Sequence, residues 1–552
     1  MPIQFEESKQ AKKFSQLRRR EEEEYTKAAG EKFGIPYLDL TSVPISIDAL
    51  KIVPFETAKN AEMAAIQSVG QKLQIVIKNP ENPAAKADLE RLKNARYETE
   101  LFIVSGRSLK KVWKAYEEIP RELGRVVGQV DVSEERTESF RTEIQSLDIL
   151  KKKIESMADS TISDLLELII AGALAIDASD IHTEPQDKQV RLRYRMDGIL
   201  ADVADLPFGT YKFLLGRIKL ISELKVNIKD KAQDGRFTIK APEGEIEVRV
   251  STLPGPYGEN IVMRILNPKA IGLSLGDLGM QPWAEKQIEQ ELKKPNGMII
   301  TTGPTGSGKT TSLYAFIKKV HEPGVKIITL EDPIEYHITG VEQTQVEPDR
   351  GYDFATGLRA ILRQDPDVIL VGEIRDQETA ETAMHASLTG HLVFSTLHTN
   401  NAAGTIPRLI DMGIKPNIIA PAINLAMAQR LVRRLCAKCK KSAKATAKEL
   451  DVLKKELDAM PQQIERPDIS GLTLYHPAGC AECHNTGYKG RVGVYELILI
   501  DDEMERMILK QPSEADVKEA AFKQGQITMR EDAILKVIAG LTDLPEVERV
   551  VG

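Results

Sequence analysis

One stretch decides the fold of the central part of this chain: Gly303-Pro304-Thr305-Gly306-Ser307-Gly308-Lys309-Thr310. It matches the pattern G-x-x-x-x-G-K-T and lies between a predicted strand, Met298–Thr302, and a predicted helix, Thr310–Val320. In that context the glycines let backbone N–H groups converge on phosphate oxygens, and the start of the helix adds a favourable dipole. The stretch therefore predicts a phosphate-binding loop (P-loop), in which Lys309 bridges the β- and γ-phosphates of a nucleotide and the Thr310 hydroxyl binds Mg²⁺.

Short apolar segments after the P-loop predict the sheet that carries it. Val325–Leu330, Val368–Val371 and Leu392–Ser395 are nearly continuous apolar runs, which are typical of strands buried on both faces. They alternate with predicted helices between about Ala270 and Leu435. We therefore expect a parallel sheet with helices on both sides.

Acidic residues and one histidine follow these strands. Glu331 and Glu335 follow the first of them, Glu373 follows the second, and His398 follows the third. Because an α/β sheet binds its ligand at the carboxyl ends of its strands, we expect these side chains to surround the phosphates, where His398 would sense them. One carboxylate would support Mg²⁺ and another would orient or deprotonate the attacking water. A solvated loop acid is the alternative for Glu331 or Glu335 alone, and a structural role is the alternative for His398.

The segment before the P-loop, from about Ile154 to Asn267, has a different pattern. A helical run at Leu165–Leu174 is followed by segments in which polar and apolar residues alternate, as in Val190–Met196. Asp197-Gly198 then predicts a tight turn into a return strand. This pattern predicts an α+β segment with a curved antiparallel sheet.

The first segment, from Met1 to about Arg136, predicts a small mixed α/β module. Gly34–Leu40 begins with a glycine and a proline, which indicate a turn, and then starts a predicted strand. Leu73–Ile77 is another predicted strand. Val130–Gln145 is polar and rich in Glu and Ser, so we expect a linker or an exposed helix there.

All four cysteines of the chain stand in two C-x-x-C pairs, Cys436 with Cys439 and Cys480 with Cys483. Four thiolates in this arrangement can surround Zn²⁺ tetrahedrally, and because no ligand position is left open we expect a structural metal. The 40 residues between the pairs exceed the spacing of a usual zinc finger, so the site would carry a long loop. Redox disulfides are the alternative interpretation.

Composition excludes several classes of protein. The 552 residues indicate three or four domains, and 42% hydrophobic with 28% charged residues is ordinary for a folded soluble protein. Lys and Arg total 75 and Asp and Glu total 82, so the net charge of −7 disfavours wholesale nucleic-acid binding. We expect no signal peptide, since charge precedes any apolar core, and no membrane span, since the run Leu165–Ile176 is short and contains Glu167. Few cysteines favour a reducing, cytoplasmic location with at most a peripheral membrane role.

Together these features resemble the secretion ATPases of type II secretion and type IV pilus assembly. The resemblance covers the chain from about Ile154 to its C-terminus. It rests on the P-loop and on four further segments, which are Ala178–Pro185, Glu331–Glu335, Asp365–Asp376 and Thr396–Asn400. It implies a homo-hexameric motor that hydrolyses ATP with Mg²⁺ at the cytoplasmic face of the inner membrane and powers pilus assembly or type II secretion.

The resemblance also implies roles for individual residues. Glu373 would be the catalytic glutamate, with Glu331 and Glu335 supporting the metal and the water. Arg249 and Arg264 would reach the γ-phosphate of a neighbouring chain, and pairing with acids of their own domain is the alternative. The nucleotide would lie on the residues of the loop, which are Gly303, Pro304, Thr305, Gly306, Ser307, Gly308, Lys309, Thr310 and Thr311.

Two other parts of the chain bear on the resemblance. Pilus-assembly and secretion motors carry a similar four-cysteine element, which retraction motors generally lack, so we expect an assembly or secretion role. Gly34–Leu50 looks like the N-terminal domain of the family, which in some members binds cyclic di-GMP through an Arg-Leu-Gly helix motif. Because Phe14–Arg20 lacks that motif, we expect this domain to dock to a membrane-associated adaptor, while the motor works with an inner-membrane platform protein.

The expected fold is multidomain α/β. Six segments follow one another: a small N-terminal α/β domain (1–136), a linker (137–153), an α+β, PAS-like domain that donates the arginines (154–268), a RecA-like P-loop ATPase core (269–435), a tetracysteine zinc element (436–498) and C-terminal helices (499–552).

Two other functions are compatible with parts of the sequence. A nucleic-acid translocase with the same RecA-like core would need a basic channel and salt-dependent DNA binding. A nucleotide-gated adaptor without hydrolysis would also use the P-loop, but Lys309, Thr310, Glu335 and Glu373 are all present and favour hydrolysis.

Overall fold

The computed structural model describes residues 22–40, 43, 46–69, 72–94, 97–116, 129–131, 143, 146–157, 161–241, 244–267 and 272–552. The chain divides into two units, Met1–Val126 and Val127–Gly552. The Phe14–Arg20 segment, most of the predicted linker Val130–Gln145 and residues 268–271 lie outside the described residues.

The first unit is built on a three-stranded sheet. Met63–Val69 pairs antiparallel with Lys72–Ile77, which in turn pairs in parallel with Glu98–Ile103. The predicted strand Leu73–Ile77 is therefore confirmed. The described helices of this unit are 22–33, Ile47–Ile52, Phe55–Asn60, Pro83–Asn94 and Gly106–Ala115.

The strand predicted at Gly34–Leu40 is wrong. Only Tyr37 forms an isolated parallel bridge, with Ile103. Leu38 donates its N–H to the Ile103 carbonyl, and the Pro36 carbonyl accepts from the Ile103 N–H. The partner strand ends at Ile103, and Pro36 has no N–H to extend the ladder, so the pairing stops after one bridge.

The second unit begins with an α+β half, as the alternating pattern predicts. Its seven-stranded sheet has the order Gln129–Asp131, Gln233–Ala241, Gly244–Gly255, Gly258–Leu266, Asp180–Pro185, Val190–Met196 and Ile199–Leu206. Neighbouring strands are antiparallel except the first pair, which is parallel. The helices of this half are Leu147–Ser156, Ile162–Ala175 and Phe208–Ile221.

One strand and one helix pack into the α+β half although the predicted domain boundaries assign them to other segments. Gln129–Asp131 belongs to the predicted N-terminal domain but pairs with Gln233–Ala241 of this sheet. Leu147–Ser156 belongs to the predicted linker, yet its Leu150 is buried in the core of the α+β half. A methyl group on Gly172 would lie only 2.7 Å from Leu150 Cδ1, so the two helices pack closely.

The predicted hairpin at Asp197-Gly198 is confirmed. Val190–Met196 pairs antiparallel with Ile199–Leu206, and Met196 lies opposite Ile199. Val190, Leu192 and Tyr194 are buried in the core of this half, as their alternation predicts.

The other half of the second unit is a mostly parallel sheet. Its strands follow the order Glu342–Gln345, Ile327–Glu331, Val368–Val371, Leu392–Leu397, Gly297–Thr302, Ile423–Leu435 and Tyr488–Leu499, and only the last pair is antiparallel. The main helices around it are Pro282–Leu292, Lys309–Val320, Phe354–Ile361, Gln377–Leu388, Thr405–Asp411 and Pro416–Ala422.

Successive residues of the central strand belong to different cores. Met298 and Ile300 pack into one apolar cluster and Ile299 packs into another. The sheet is therefore covered on both faces, which confirms the prediction from its continuous apolar runs.

The C-terminal part extends the edge of this sheet. Lys441–Lys444 and Thr473–His476 form a small hairpin that brackets the helix Ala447–Ala459. Tyr488–Leu499, inside the predicted zinc element, is the outermost strand of the large sheet. The predicted terminal helices are Asp502–Ile508, Glu514–Lys523, Met529–Ile538 and Leu544–Val551. Over the described part of the chain, every helix is too short or too polar to traverse a lipid bilayer.

The parallel register determines where ligands can bind. Thr302 lies opposite Leu397, Val371 opposite Ser395, and Leu330 opposite Val371. The carboxyl ends of four adjacent strands therefore meet at one edge, and so do the residues that follow them.

A C-terminal helix is joined to this half through one member of a buried ion pair within the helix. Lys536 Nζ lies 2.5 Å from Asp532 Oδ2, and their side chains are 3% and 1% exposed. Asp532 also accepts hydrogen bonds from the Tyr495 N–H and from Gln281 Nε2, at 2.9 and 2.8 Å. Burial lowers the pKa of Lys536, against the opposing effect of the Asp532 charge. One carboxylate thus connects the helix, the edge strand and the segment that enters the sheet domain.

Lys536→Met is expected to lower the free energy of unfolding by about 3–5 kcal/mol, because it leaves the Asp532 carboxylate buried without its cation. Lys518→Met is the matched control, since Lys518 pairs with Glu514 at the same helical spacing but with both side chains about half exposed. The control substitution should lower the free energy of unfolding by only about 0–1 kcal/mol. Urea denaturation of the full chain measures both values, and equal losses would contradict the argument from burial.

Candidate active site

The P-loop joins the central strand Gly297–Thr302 to the helix Lys309–Val320, which is the context that its motif requires. Gly303 and Gly308 adopt φ angles of 144° and 93°, which residues with a side chain rarely adopt. The loop can therefore turn its backbone N–H groups inward at the start of the helix. This geometry suits a phosphate group.

Lys309 lies across the loop that carries it. Its ammonium donates to the carbonyl oxygens of Gly303 and Pro304, at 2.8 and 3.2 Å. Burial lowers the pKa of Lys309, and the negative charge of Glu373 partly offsets that effect. The ammonium is therefore held among loop carbonyls, close to the Glu373 carboxylate at the end of a strand two positions away in the sheet.

Gln429 supports the P-loop from the next strand, and sequence reasoning missed it. Its side-chain oxygen accepts a hydrogen bond from Ser312 Oγ at 2.7 Å, and the residue is 1% exposed. A methyl group on Gly303 would lie 2.5 Å from the Gln429 carbonyl oxygen, and one on Gly308 would lie 2.6 Å from its Nε2. The available signal was a glutamine directly after the apolar stretch Leu425–Ala428.

Glu331 ends the strand Ile327–Glu331 and is almost fully buried, at 3% exposure. Its carboxylate accepts hydrogen bonds from Tyr314 Oη at 2.5 Å, Thr329 Oγ1 at 2.6 Å and Gln343 Nε2 at 3.1 Å. Burial and the adjacent carboxylate raise the pKa of Tyr314, so its hydroxyl stays protonated and donates. These three donors hold Glu331 in one orientation at the edge of the cleft.

Glu373 is the centre of a polar cluster at the sheet edge. His398 Nε2 lies 2.9 Å from one carboxylate oxygen of Glu373, and Arg375 pairs with the other. Arg375 also lies 3.5 Å from Asp332 in the next loop. Burial alone would raise the pKa of Glu373, but the hydrogen bonds from His398 and Arg375 outweigh it and lower the pKa. Glu373 is therefore a carboxylate at neutral pH.

The two predicted arginines lie on the α+β half and approach this edge within the same chain. Arg249 Nη1 lies 3.2 Å from Glu335 Oε2, and its Nη2 donates to the Ile334 carbonyl at 2.6 Å. Its Nε also contacts Glu247 of its own strand at 3.4 Å. Arg264 pairs with Asp180 of its own half at 2.9 Å. Within this chain both arginines thus pair with an acid of their own domain, which is the alternative stated from the sequence, and Arg249 also contacts the acidic loop.

These elements enclose one cleft of about 700 Å³. One wall carries the P-loop with Glu331, Glu335, Glu373 and His398. The opposite wall belongs to the α+β half, and it carries Ser179, Asp180, Arg195, Gly198 and Arg264. The Lys309 ammonium lies on one wall and the guanidinium groups of Arg195 and Arg264 on the other, and these cations can bind a polyphosphate. The carboxylates beside the P-loop can bind the cation that accompanies it.

The four cysteines form a separate cluster. Their sulfur atoms all lie within 4.8 Å of one another, with Cys436 to Cys480 at 3.9 Å and Cys439 to Cys483 at 3.7 Å. Sulfur ligands at 2.3 Å around a tetrahedral Zn²⁺ stand about 3.8 Å apart, so the spacing matches a metal-binding cluster. Burial alone would raise the pKa of Cys483, but N–H donors from Cys480 and Gly487 at 3.2 Å help to lower it to about 7. All four cysteines are free thiols in this structure.

Comparison with known families gives two matches. Residues 155–549 match the family model of type II/IV secretion system protein, and residues 33–122 match that of the MshEN domain. The first match covers well over half of the chain and includes both walls of the cleft and all four cysteines.

Individual proteins are similar over most of their length. The type IV pilus assembly ATPase PilB of Myxococcus xanthus is 36% identical over 530 residues, which are 96% of this chain and 91% of that protein. The type II secretion system protein E of Pseudomonas aeruginosa is 44% identical over 397 residues, 72% of this chain and 77% of that protein. Among solved structures, the ATPase DotB of Legionella pneumophila covers 70% of this chain and 95% of its own, at 22% identity and a TM-score of 0.51. This last likeness concerns the fold alone.

Gln429→Ala is expected to weaken nucleotide binding about tenfold, since a lost buried hydrogen bond costs about 1–3 kcal/mol and loosens the P-loop. Gln524→Ala is the control, because Gln524 also makes a side-chain hydrogen bond, as the donor to the Leu499 carbonyl, but at the far end of the sheet. Titration with a fluorescent nucleotide measures both affinities. An unchanged affinity of the Gln429 variant would remove this residue from the site.

Proposed function

This chain belongs to the family of type II/IV secretion system proteins, and from that premise we propose that it is an ATP-hydrolysing motor that powers type IV pilus assembly or type II secretion. The observation that carries the proposal is the single cleft in which the P-loop, Glu373, His398 and arginines of the α+β half meet. The similarity to a pilus assembly ATPase and to a type II secretion protein supports it.

Hydrolysis transfers the γ-phosphoryl group of ATP to water, and the protein acts mainly by positioning and electrostatic stabilisation. The backbone N–H groups of the P-loop would bind the phosphates. Lys309 would exchange the carbonyls of Gly303 and Pro304 for the β- and γ-phosphate oxygens. Glu373, whose lowered pKa keeps it a carboxylate, would orient and deprotonate the attacking water. His398 and Arg375 each contact one oxygen of the Glu373 carboxylate and hold it in place.

The residues at the cleft fit a Mg²⁺ ion. The Thr310 hydroxyl and the carboxylates of Glu331 and Glu335 line the same cleft, and hard oxygen ligands are those that this ion prefers. When bound, the ion neutralises charge on the β- and γ-phosphate oxygens. Because Glu331 is already held by three donors, it suits a fixed, indirect support of the ion better than a mobile ligand.

The arginines would act within their own chain. The family resemblance implies that Arg249 and Arg264 reach a neighbour, but Arg264 lines the cleft of its own chain and Arg249 contacts Glu335 there. Closure of the α+β half on the nucleotide would then couple phosphate chemistry to a movement between the halves of the second unit. We propose that six chains assemble in a ring and use this movement as a motor.

The four-cysteine cluster is proposed to hold a structural Zn²⁺. Four thiolates with sulfur separations near 3.8 Å and donors to Cys483 support this metal. The first unit, with its match to the MshEN domain, is proposed to dock to a membrane-associated adaptor. The motor would work on an inner-membrane platform protein from the cytoplasmic face, as a peripheral protein.

Glu373→Gln is expected to reduce turnover by about 10²–10⁴-fold, because it removes the base while keeping the size of the side chain and one acceptor oxygen. ATP affinity should stay near that of the parent. Glu378→Gln is the control, because Glu378 is an exposed acid five residues further on that pairs with Arg359. Phosphate release and nucleotide titration measure the two effects. Parental turnover in the Glu373 variant would shift the assignment of the base to Glu335.

Metal analysis of the purified chain is expected to give near-stoichiometric zinc. Cys480→Ser would leave three ligands, so zinc should be lost and the segment from Cys436 to Cys483 should become more sensitive to protease. A parent protein without metal, or with disulfides under reducing conditions, would contradict the zinc assignment.

Mixed rings distinguish the two placements of the arginines. Arg264→Ala and Lys309→Ala chains should each be nearly inactive, since fingers of this kind contribute about 10³–10⁵ in rate. If the arginine acts within its own chain, rings that contain both variants stay inactive, because no chain has an intact cleft. Co-purification of two differently tagged chains would prove the mixing. Recovery of activity in such rings would place Arg264 on the nucleotide of a neighbour.

A further inference from the structure

A buried aspartate stands between two arginines on the wall opposite the P-loop. Asp180 begins the strand Asp180–Pro185, and its side chain is 7% exposed. Across the sheet, Asp180 lies opposite Arg195 on one side and Arg264 on the other. The strand register thus sets two guanidinium groups side by side on a single carboxylate.

The contacts of Asp180 orient both arginines in the same way. Oδ1 accepts a hydrogen bond from Arg264 Nε at 2.9 Å, and Oδ2 lies 3.3 Å from Arg195 Nε. Ser179 Oγ also donates to Oδ2, at 2.8 Å. Each arginine therefore gives its inner nitrogen to the carboxylate and keeps its terminal nitrogens for other partners. Arg195 Nη1 reaches the Gly198 carbonyl at 3.1 Å, and within the described ranges no hydrogen bond involves the terminal nitrogens of Arg264.

Both arginines lie on the cleft that holds the P-loop. Two guanidinium groups share one carboxylate, so the pair carries an excess positive charge toward the phosphates. The other two arginines on this face of Val190–Met196 pair with a different acid. Arg191 and Arg193 contact Asp202 at 3.5 and 3.1 Å. The hydrogen bond to Asp180 also raises the pKa of Arg264, so that this group stays charged.

We infer that Asp180 is a positioning residue that aims Arg264 and Arg195 at the γ-phosphate, and that Arg195 is a further phosphate-binding residue of the site. The inference rests on the proposed function, because it requires a nucleoside triphosphate in this cleft. A long arginine side chain loses much conformational freedom when it binds a phosphate, and an anchored Nε removes part of that loss in advance. The bidentate face of the guanidinium then meets phosphate oxygens in a fixed direction.

The test compares affinities for a non-hydrolysable ATP analogue and for ADP. Arg195→Ala and Asp180→Asn should each weaken binding of the analogue about tenfold while ADP affinity stays near that of the parent, because only the γ-phosphate loses its partners. The matched controls Arg191→Ala and Asp202→Asn change the same residue types on the same sheet, away from the cleft, and should leave both affinities unchanged. Turnover of ATP should fall in the first two variants and not in the controls.

A double-mutant cycle separates positioning from folding. In an Arg195→Ala, Arg264→Ala background, Asp180→Asn should have no further effect on analogue affinity, because both arginines that Asp180 positions are absent. An equal loss of ADP affinity, or a further loss in that background, would show that Asp180 only supports the fold and would overturn the inference. Unchanged analogue affinity in Asp180→Asn would overturn it as well.

Arg195→Ala leaves the buried carboxylate paired with Arg264, so it provides the test even if Asp180→Asn folds poorly. The proposed function fails separately, through a parent chain that binds ATP without hydrolysing it. The affinity ratio between the analogue and ADP still decides the role of Asp180 in that case.

Discussion

The parallel register of four buried strands is the constraint on which the rest of the second unit depends. It aligns the ends of Ile327–Glu331, Val368–Val371, Leu392–Leu397 and Gly297–Thr302, so that the P-loop, two acidic loops and a histidine share one edge. A shift of one residue in any pair would move Glu373 or His398 away from Lys309 and would exchange the apolar side chains that pack in the two cores. The two apolar cores on the faces of the sheet therefore hold the polar site in register.

Charge balance explains how the two halves of this unit can work together. The sheet edge carries Glu331, Glu335 and Glu373, while the opposite wall carries arginines on antiparallel strands that pack into a core of their own. Arg249 already bridges the walls through Glu335. A bound polyphosphate would supply the negative charge that draws the other guanidinium groups inward, and release of the cleaved phosphate would remove part of that charge. Under the proposed function, movement between the halves would follow from these changes in charge.

The cysteine cluster is connected to the same sheet through its edge strands. Cys436 follows the strand Ile423–Leu435, and Tyr488–Leu499 starts shortly after Cys483. Arg433 stacks on the Tyr488 ring at 3.8 Å and pairs with Glu546 of the last helix at 2.8 Å. The Tyr488 hydroxyl donates to Asp543 at 2.9 Å. A metal in the cluster would thus fix the last two strands of the sheet, and from one of them, Ile423–Leu435, Gln429 supports the P-loop.

The sequence alone determined the features that depend on neighbouring residues. Glycine spacing predicted the P-loop, and Asp197-Gly198 predicted the hairpin. Continuous apolar runs predicted the parallel strands, and with them the place of Glu331, Glu373 and His398 at the strand ends. Each of these signals lies within a few residues of the chain. Only the tertiary structure decided contacts between residues far apart in the chain. Gln429 lies 117 residues from Ser312, and Arg264 lies 84 residues from Asp180. The failed strand at Gly34–Leu40 has the same cause, since a strand exists only where a partner continues beside it, and its partner ended at Ile103.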